Sequence, residues 1–300
     1  MGSPRSALPT STTVPWGHPA CDQSSPSRTP SPTCRYPYEG AANQATSVAG
    51  MKVAGLWRYP VKSMQGEARD SLRFDEHGVD GDRRFGVLDP ASGTIVSAKK
   101  DGRLLEARAM LVGVELTVRL PTGETALGTG PAVDAALGAW LGRTVHLVEA
   151  RAGGRGTFER PADFEDDGSE PVRWQGPYGS FVDSSPVHLL TTASLRAVAA
   201  ERPDLRWDVL RFRPNVLIEA EGTELVEAAW MGRRVVLGQV ELDVLRPCGR
   251  CVMTTRPQPG GLPRELDIMR HLSAAHSADL GVLARVTRGG RVDVGQPVEL

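Results

Sequence analysis

The sequence predicts a mainly β (α+β) fold in two halves, each a barrel or sandwich with a few short helices. Three observations carry this. Short apolar runs with strand-like alternation recur along most of the chain. Turn formers are abundant, 33 Gly and 23 Pro in 300 residues, and they fall between those runs. Only a few windows show the 3.6-residue apolar period of a helix.

Taken in order, Val53 to Tyr59 is an apolar run closed by Pro60, and Ser71 to Asp75, Phe85 to Leu88 and Thr94 to Ser97 read as further strands. Gly78, Gly81, Pro90 and Gly93 mark the turns between them. Val112 to Leu120 alternates as a half-buried strand does. Pro131 to Leu141 is the one clear helix of this half, with Ala135, Ala136, Ala139 and Trp140 on its apolar face and Pro131 suited to a first turn. His146 to Val148 is another strand. Residues 151–182 are rich in Gly, Pro and acid, with Asp163, Glu165, Asp166 and Asp167 close together. They read as a solvated connector, or a lid over a site. Beyond Asp183, Val187 to Leu190 is a strand, and Thr191 or Thr192 caps a helix through Ala200. Val216 to Ile218 follows the Arg213-Pro214-Asn215 turn. Arg234 to Leu237 and Val240 to Leu245 form a hairpin at Gly238, Leu266 to Ser273 is a short helix, and Val282 to Thr287 with Val292 to Leu300 form a last hairpin through Gly289-Gly290.

A length of 300 residues predicts two domains at about 150 residues each. A net charge of -1 offers no electrostatic reason to expect a nucleic-acid or anionic-membrane partner. No stretch approaches the roughly 18 consecutive apolar residues of a membrane span. The 4 cysteines are too few for a secreted disulfide scaffold, which points to a reducing, cytoplasmic compartment. Residues 1–50 are rich in Pro, Ser and Thr and poor in aliphatic side chains, the composition of a disordered leader without a signal-peptide core. Met51 then opens a different kind of sequence, and is the expected translation start.

Cys248 and Cys251 are the only cysteines outside that leader, in Leu245-Arg-Pro-Cys248-Gly-Arg-Cys251-Val-Met-Thr-Thr255. Five readings fit such a pair. Zinc would need two more ligands, and His271 and His276 lie downstream across a Pro-Gly-Gly turn. A dithiol redox motif would want a helix after the pair, and Val252-Met-Thr-Thr is β-favouring. An iron–sulfur cluster wants four thiolates. Two buried, inert cysteines are the plainest reading. The last is one thiolate ligating a soft-ligand metal held by another cofactor, with Arg246 and Arg250 lowering the thiol pKa.

Several motifs together select among these. Trp57-Arg-Tyr-Pro-Val-Lys-Ser63 with Gly66-Glu67, and Gly81-Asp-Arg-Arg-Phe-Gly-Val-Leu-Asp89, resemble the MOSC N-terminal β-barrel domain. Phe212-Arg-Pro-Asn215, the Arg-Pro-Cys-Gly-Arg-Cys segment and Gly290-Arg-Val-Asp-Val-Gly295 resemble the MOSC domain. The set is collinear over 51–300, and is similar to the mitochondrial amidoxime-reducing component and its bacterial relatives. The resemblance implies three segments: the leader at 1–50, an N-terminal β-barrel domain at 51–165 and a MOSC domain at 166–300. It also implies a molybdenum-pterin cofactor (Mo-molybdopterin) with Cys251 as the metal ligand and Cys248 in support. Lys62, Ser63, Arg83, Ser184, Ser185, Arg213, Asn215, Gly249 and Arg250 match the family's cofactor-binding positions, and Asp183 matches a position suited to carrying a proton. Arg fits phosphate through its planar donor fork, and Asn offers donor and acceptor to a pterin edge. The implied activity is reduction of N-hydroxylated small molecules, N–OH to N–H. The chain has no cluster cysteines and no flavin or nicotinamide fingerprint, so electrons are expected from a separate ferredoxin-type or flavin reductase partner. The alternative is a sulfur-transfer or cofactor-carrier protein using a Cys251 persulfide, since MOSC domains also occur beside the pyridoxal phosphate domain of molybdenum cofactor sulfurases.

Overall fold

The computed structural model describes residues 50–300, so the expectations for residues 1–49 lie outside the described residues. The fold is mainly β, with four α-helices among the described residues: Pro131–Leu141, Thr192–Glu201, Val209–Phe212 and Leu266–Ala275.

The largest sheet has eight strands, in the order Val298–Glu299, Arg234–Leu237, Val240–Gly249, Asp279–Arg288, Val187–Thr191, Val216–Glu219, Lys52–Arg58 and Glu67–Arg69. The first strand of the described chain thus pairs antiparallel with Val216–Glu219, deep in the C-terminal half. Ser71–Asp75 crosses over in the same way and pairs with Gly290–Asp293. Leu72 and Phe74 turn inward by alternation, and a bulge between Val53 and Gly55 lets Val53 and Leu56 do the same, into a core shared with Val187, Val216, Trp230 and Val282. Val187–Thr191 and Val216–Glu219 run parallel, so the chain between them must cross over, and helix Thr192–Glu201 lies in that connection.

A five-stranded sheet follows the order His146–Glu149, Phe85–Asp89, Thr94–Ile95, Arg155–Pro161 and Pro171–Tyr178. The meander Arg108–Val112, Glu115–Arg119 and Thr125–Leu127 shares a second core with helix Pro131–Leu141. That helix begins with Pro in its first turn and ends at Gly142 in the left-handed conformation, burying Val133, Ala136, Leu137 and Leu141. Full burial of each Val or Leu stabilises the fold by about 1.5–3 kcal/mol.

Four local expectations are corrected. Val112 to Leu120 is not one strand: the chain turns at Gly113 (φ 59°), giving a hairpin of Arg108–Val112 with Glu115–Arg119. Residues 151–182 are largely a β-hairpin of Arg155–Pro161 with Pro171–Tyr178, because Phe158 is fully buried and Glu159 is held between Lys100 and Arg173. The acidic run sits at its tip and is tied down, Asp167 to Arg256 at 2.5 and 2.6 Å and Glu165 to Arg270 at 2.7 Å. Val252–Thr255 is a 3₁₀ turn, its Thr254 and Thr255 hydroxyls donating to the carbonyls of Cys251 and Val252. The last hairpin does not form: Asp279–Arg288 pairs with Val240–Gly249, Gly290–Asp293 with Ser71–Asp75, and Val298–Glu299 with Arg234–Leu237.

Candidate cofactor site

One cleft gathers every site residue expected from the sequence. Its lining includes Lys62, Ser63, Arg83, Asp183, Ser184, Ser185, Arg213, Asn215, Gly249, Arg250 and Cys251. Cys248, expected in support of Cys251, lines it with Phe212 and Met253 of the quoted motifs, and so do Ser97, Lys99 and His188, which were not singled out from the sequence. These residues come from segments far apart in the chain, delivered by the strand ends. Lys62 follows the first strand, and its backbone N–H donates to the carbonyl of Phe85 at 2.8 Å. Asp183 to Ser185 lead into Val187–Thr191, and Arg213 caps the short helix Val209–Phe212. Cys251 lies just past the end of Val240–Gly249.

Three of these residues hold left-handed backbone that only glycine adopts freely: Ser63 (φ 69°), Arg83 (φ 48°) and Arg213 (φ 54°). Such strain persists where surrounding contacts over-determine it, and it clusters at functional sites. Ser63 Oγ accepts from the N–H of Ala98 at 2.9 Å, leaving its own O–H free to donate. The buried ring of Tyr59 lies against the guanidinium groups of Arg83 and Arg213, 4.3 and 4.1 Å from its centroid. Burial pushes the Tyr59 phenol up to about 12, so its hydroxyl stays protonated and donates to the carbonyl of Pro214 at 3.2 Å.

Charge in the cleft is unbalanced. Lys62, Arg83, Lys99, Arg213 and Arg250 line it, against the lining carboxylate of Asp183 and the buried Asp82, which is ion-paired with Arg83. Lys62 Nζ donates to Asp183 Oδ1 at 2.9 Å and to the carbonyl of Phe181 at 2.8 Å, and Lys99 Nζ lies 3.0 Å from Asp183 Oδ2. Burial alone would raise the Asp183 carboxyl, but the two ammonium groups outweigh it and hold the group far below the usual carboxylate range. Lys62, itself buried, is lowered to about 8 by desolvation, partly opposed by Asp183. Arg213 is 3% exposed, and neither Nη1 nor Nη2 has a hydrogen-bond partner among the described residues. Its desolvation lowers the guanidinium to about 10. A buried, unpaired cation is costly unless an anion joins it.

The two cysteines differ. Both are free, Cys248 buried and Cys251 partly exposed. Arg250, expected beside the ligating thiol, instead donates to Cys248 Sγ at 2.9 Å and to the carbonyl of Phe212 at 2.8 Å. Burial still pushes the Cys248 thiol up, the cost of desolvation outweighing Arg250. Asn215 is committed to the backbone: Oδ1 accepts from the N–H of His188 at 3.2 Å, and Nδ2 donates to the carbonyl of Trp57 at 3.3 Å. Its role is to align strands, with one N–H left over. His188 is pushed well below its usual value by burial, with Arg250 acting in the same direction, and is therefore neutral. Lys99, in the run Ser97-Ala-Lys99-Lys100, carries no motif that distinguishes it from a surface lysine. Only its burial beside Asp183 does.

Two family models match the chain, the MOSC N-terminal beta barrel domain over residues 50–164 and the MOSC domain over residues 178–299. The mitochondrial amidoxime-reducing component 1 of Mus musculus is 25% identical, covering 83% of this chain and 82% of the relative. Its Homo sapiens counterpart has the same identity and coverage. Among solved structures, the YUAD protein from Bacillus subtilis superposes with a TM-score of 0.39 at 13% identity, over 83% of this chain and 93% of that one. With both domain models matched in order, the chain is a MOSC domain protein with a MOSC N-terminal β-barrel domain, resembling the mitochondrial amidoxime-reducing components.

Proposed function

We propose that this protein binds a molybdenum-pterin cofactor in the cleft and reduces N-hydroxylated small molecules, N–OH to N–H, with electrons from a separate ferredoxin-type or flavin reductase. The observation that carries this reading is Arg213: a buried guanidinium with both terminal nitrogens unpartnered, in a cationic cleft that also exposes Cys251. Its unused donor fork fits a phosphate, and a half-exposed thiol fits a soft metal. When bound, the cofactor supplies two-electron redox chemistry at molybdenum.

The chain's own residues divide the remaining work. Arg213 and the Ser63 hydroxyl would donate to the cofactor's phosphate and polar edge, Arg83, held by Asp82, would add positive charge beside them, and Ser184 and Ser185 would border it from the segment before Val187–Thr191. Cys251 Sγ is the metal ligand. Cys248, kept neutral by burial, holds Arg250 in place. Asp183, expected to carry a proton, is held ionised by Lys62 and Lys99 far below the usual carboxylate range, and in this reading acts as a fixed carboxylate that orients the two lysines. Lys62 Nζ, lowered to about 8, is suited to release a proton close to neutral pH.

The test is to express the chain in a host that makes the cofactor, quantify molybdenum per chain, and assay benzamidoxime reduction with a reduced artificial donor. Bound molybdenum with turnover is expected, both lost in Cys251→Ser. Absence of molybdenum from the wild type would overturn the reading, and a persulfide on Cys251 in that metal-free protein would favour sulfur transfer.

A further inference from the structure

A second cluster of metal-ligating side chains lies outside the cleft. Glu201, His271 and His276 place their ligating atoms within 4.8 Å of one another. Nε2 of His271 and Nε2 of His276 each lie 2.7 Å from the same oxygen, Glu201 Oε2. The two imidazoles meet edge-on, centroids 5.6 Å apart, and both side chains are largely covered, at 16% and 11% exposure. Three ligands bound tetrahedrally at about 2.0–2.1 Å would stand about 3.3 Å apart, so with two edges at 2.7 Å and all three atoms within 4.8 Å, a side-chain adjustment of this triangle admits an ion.

The surroundings favour a cation. Glu201 is the last residue of helix Thr192–Glu201, and His276 directly follows helix Leu266–Ala275, so two helix C-termini converge on the cluster. The unsatisfied carbonyls at such ends carry negative partial charge. Arg202, the next residue, is engaged by Asp204 at 2.6 and 2.8 Å. The backbone around His276 is strained in a telling way. Among the described residues, non-glycine residues with positive φ occur in two places: Ser63, Arg83 and Arg213 in the cleft, and Ser277 (φ 55°) and Ala278 (φ 62°) beside His276. That double left-handed turn is fixed by the Ala278 N–H donating to the carbonyl of Leu272 at 2.8 Å and the Asp279 N–H donating to that of His276 at 2.8 Å, and it swings the chain back after the imidazole.

We propose that Glu201, His271 and His276 form a divalent transition-metal site, of zinc type, that clips the ends of the two helices together. Two imidazoles and one carboxylate make a three-ligand set with at least one position open to water. On metal binding each imidazole would give up the Nε2 proton it now donates to Glu201 and ligate through Nε2, its remaining proton on Nδ1. The site is separate from Cys251, and its ligands contain no sulfur. It also buttresses the cleft from behind, since His271 packs edge-on against Trp207 at 5.8 Å and Trp207 stacks on Phe212 at 6.2 Å.

The experiment uses the untagged full chain, stripped with chelator and titrated calorimetrically with zinc chloride. One zinc per chain is expected, with affinity at least tenfold weaker in His271→Ala, His276→Ala and Glu201→Gln, and unchanged in Cys248→Ser/Cys251→Ser. Zinc should raise the thermal midpoint of the wild type and leave that of His276→Ala unmoved. X-ray absorption on the zinc-loaded wild type, which needs no variant to fold, should show nitrogen and oxygen at about 2.0–2.1 Å and no sulfur near about 2.3 Å. A sulfur shell, or affinity indifferent to the histidine changes, would overturn the proposal.

Discussion

Arg211 and Arg213 are two residues apart, both buried, at 0% and 3% exposure, and they meet opposite fates. Arg211 donates to the carbonyls of Arg206, Thr254, Arg256 and Pro263 at 2.9–3.3 Å, and to the Glu265 carboxylate at 2.6 Å. It fastens the segment after Cys251 to the helix that precedes the cleft. Arg213 leaves both terminal nitrogens without a partner. The lesson is that burial of a charge does not identify its role, whereas the balance of its hydrogen bonds does. A satisfied guanidinium is architecture, and an unsatisfied one of the same type is an invitation to an anion.

The comparison breaks most visibly at Arg211. Arg211→Met should cost about 3–5 kcal/mol, because it strands the Glu265 carboxylate and several buried carbonyls, and urea unfolding measures it. A loss under 1 kcal/mol would mean the Arg211 network is dispensable. Arg213→Met should behave in the reverse way: stability unchanged or up by about 1 kcal/mol, since an unpaired buried charge is gone, while molybdenum retained on purification falls about tenfold or more. If Arg213→Met unfolds the protein, the guanidinium is structural and the contrast with Arg211 fails. Asp183→Asn tests an intermediate case, a partly exposed carboxylate compensating Lys62 and Lys99. Allowing for its 41% exposure, the cost should be about 2 kcal/mol at neutral pH. The sign with pH follows from its lowered pKa: the Asp183 contribution is present above about pH 4 and is lost as pH falls further, so wild type and variant converge in acid.

The smallest effect at neutral pH is at Tyr59, which reports on the two cleft arginines directly. Its pKa is raised in the fold, so its contribution is present below pH 10 and lost as pH rises toward about 12. Tyr59→Phe should therefore match wild type at neutral pH apart from the lost hydroxyl. Above pH 10 its stability should decline less steeply, by up to about 1.4 kcal/mol per pH unit. A phenol titrating near 10 in the wild-type minus Tyr59→Phe difference spectrum would contradict the buried setting.

Much of the local structure was legible in the sequence. Helix Pro131–Leu141 was, because Pro, a helical apolar face and Gly142 are all signals within one segment. The helix capped by Thr191 was too, its hydroxyl accepting from the N–H of Ser194. The hairpin at 155–178 was not, because Gly, Pro and acid dominate its composition and what stabilises it is remote: Phe158 packs under Phe181, and Glu159 is paired with Lys100. The strand Gly290–Asp293 was assigned to the wrong neighbour for a related reason. Its partner Ser71–Asp75 lies some two hundred residues back, and periodicity reports which residues point inward without saying against what.

What the residues alone determined is the chemistry available: strand alternation, turn chemistry, and the motifs that carry Lys62, Arg83, Arg213 and Cys251. Tertiary structure decided how those groups are used. It took Arg250 to Cys248, committed Asn215 to the backbone, buried Lys99 beside Asp183, left Arg213 unpaired, and brought His271 and His276 to Glu201 rather than to the cysteines. The reason is physical. Side-chain type and local spacing are properties of a segment, whereas desolvation and pairing depend on which distant segments the sheets bring together.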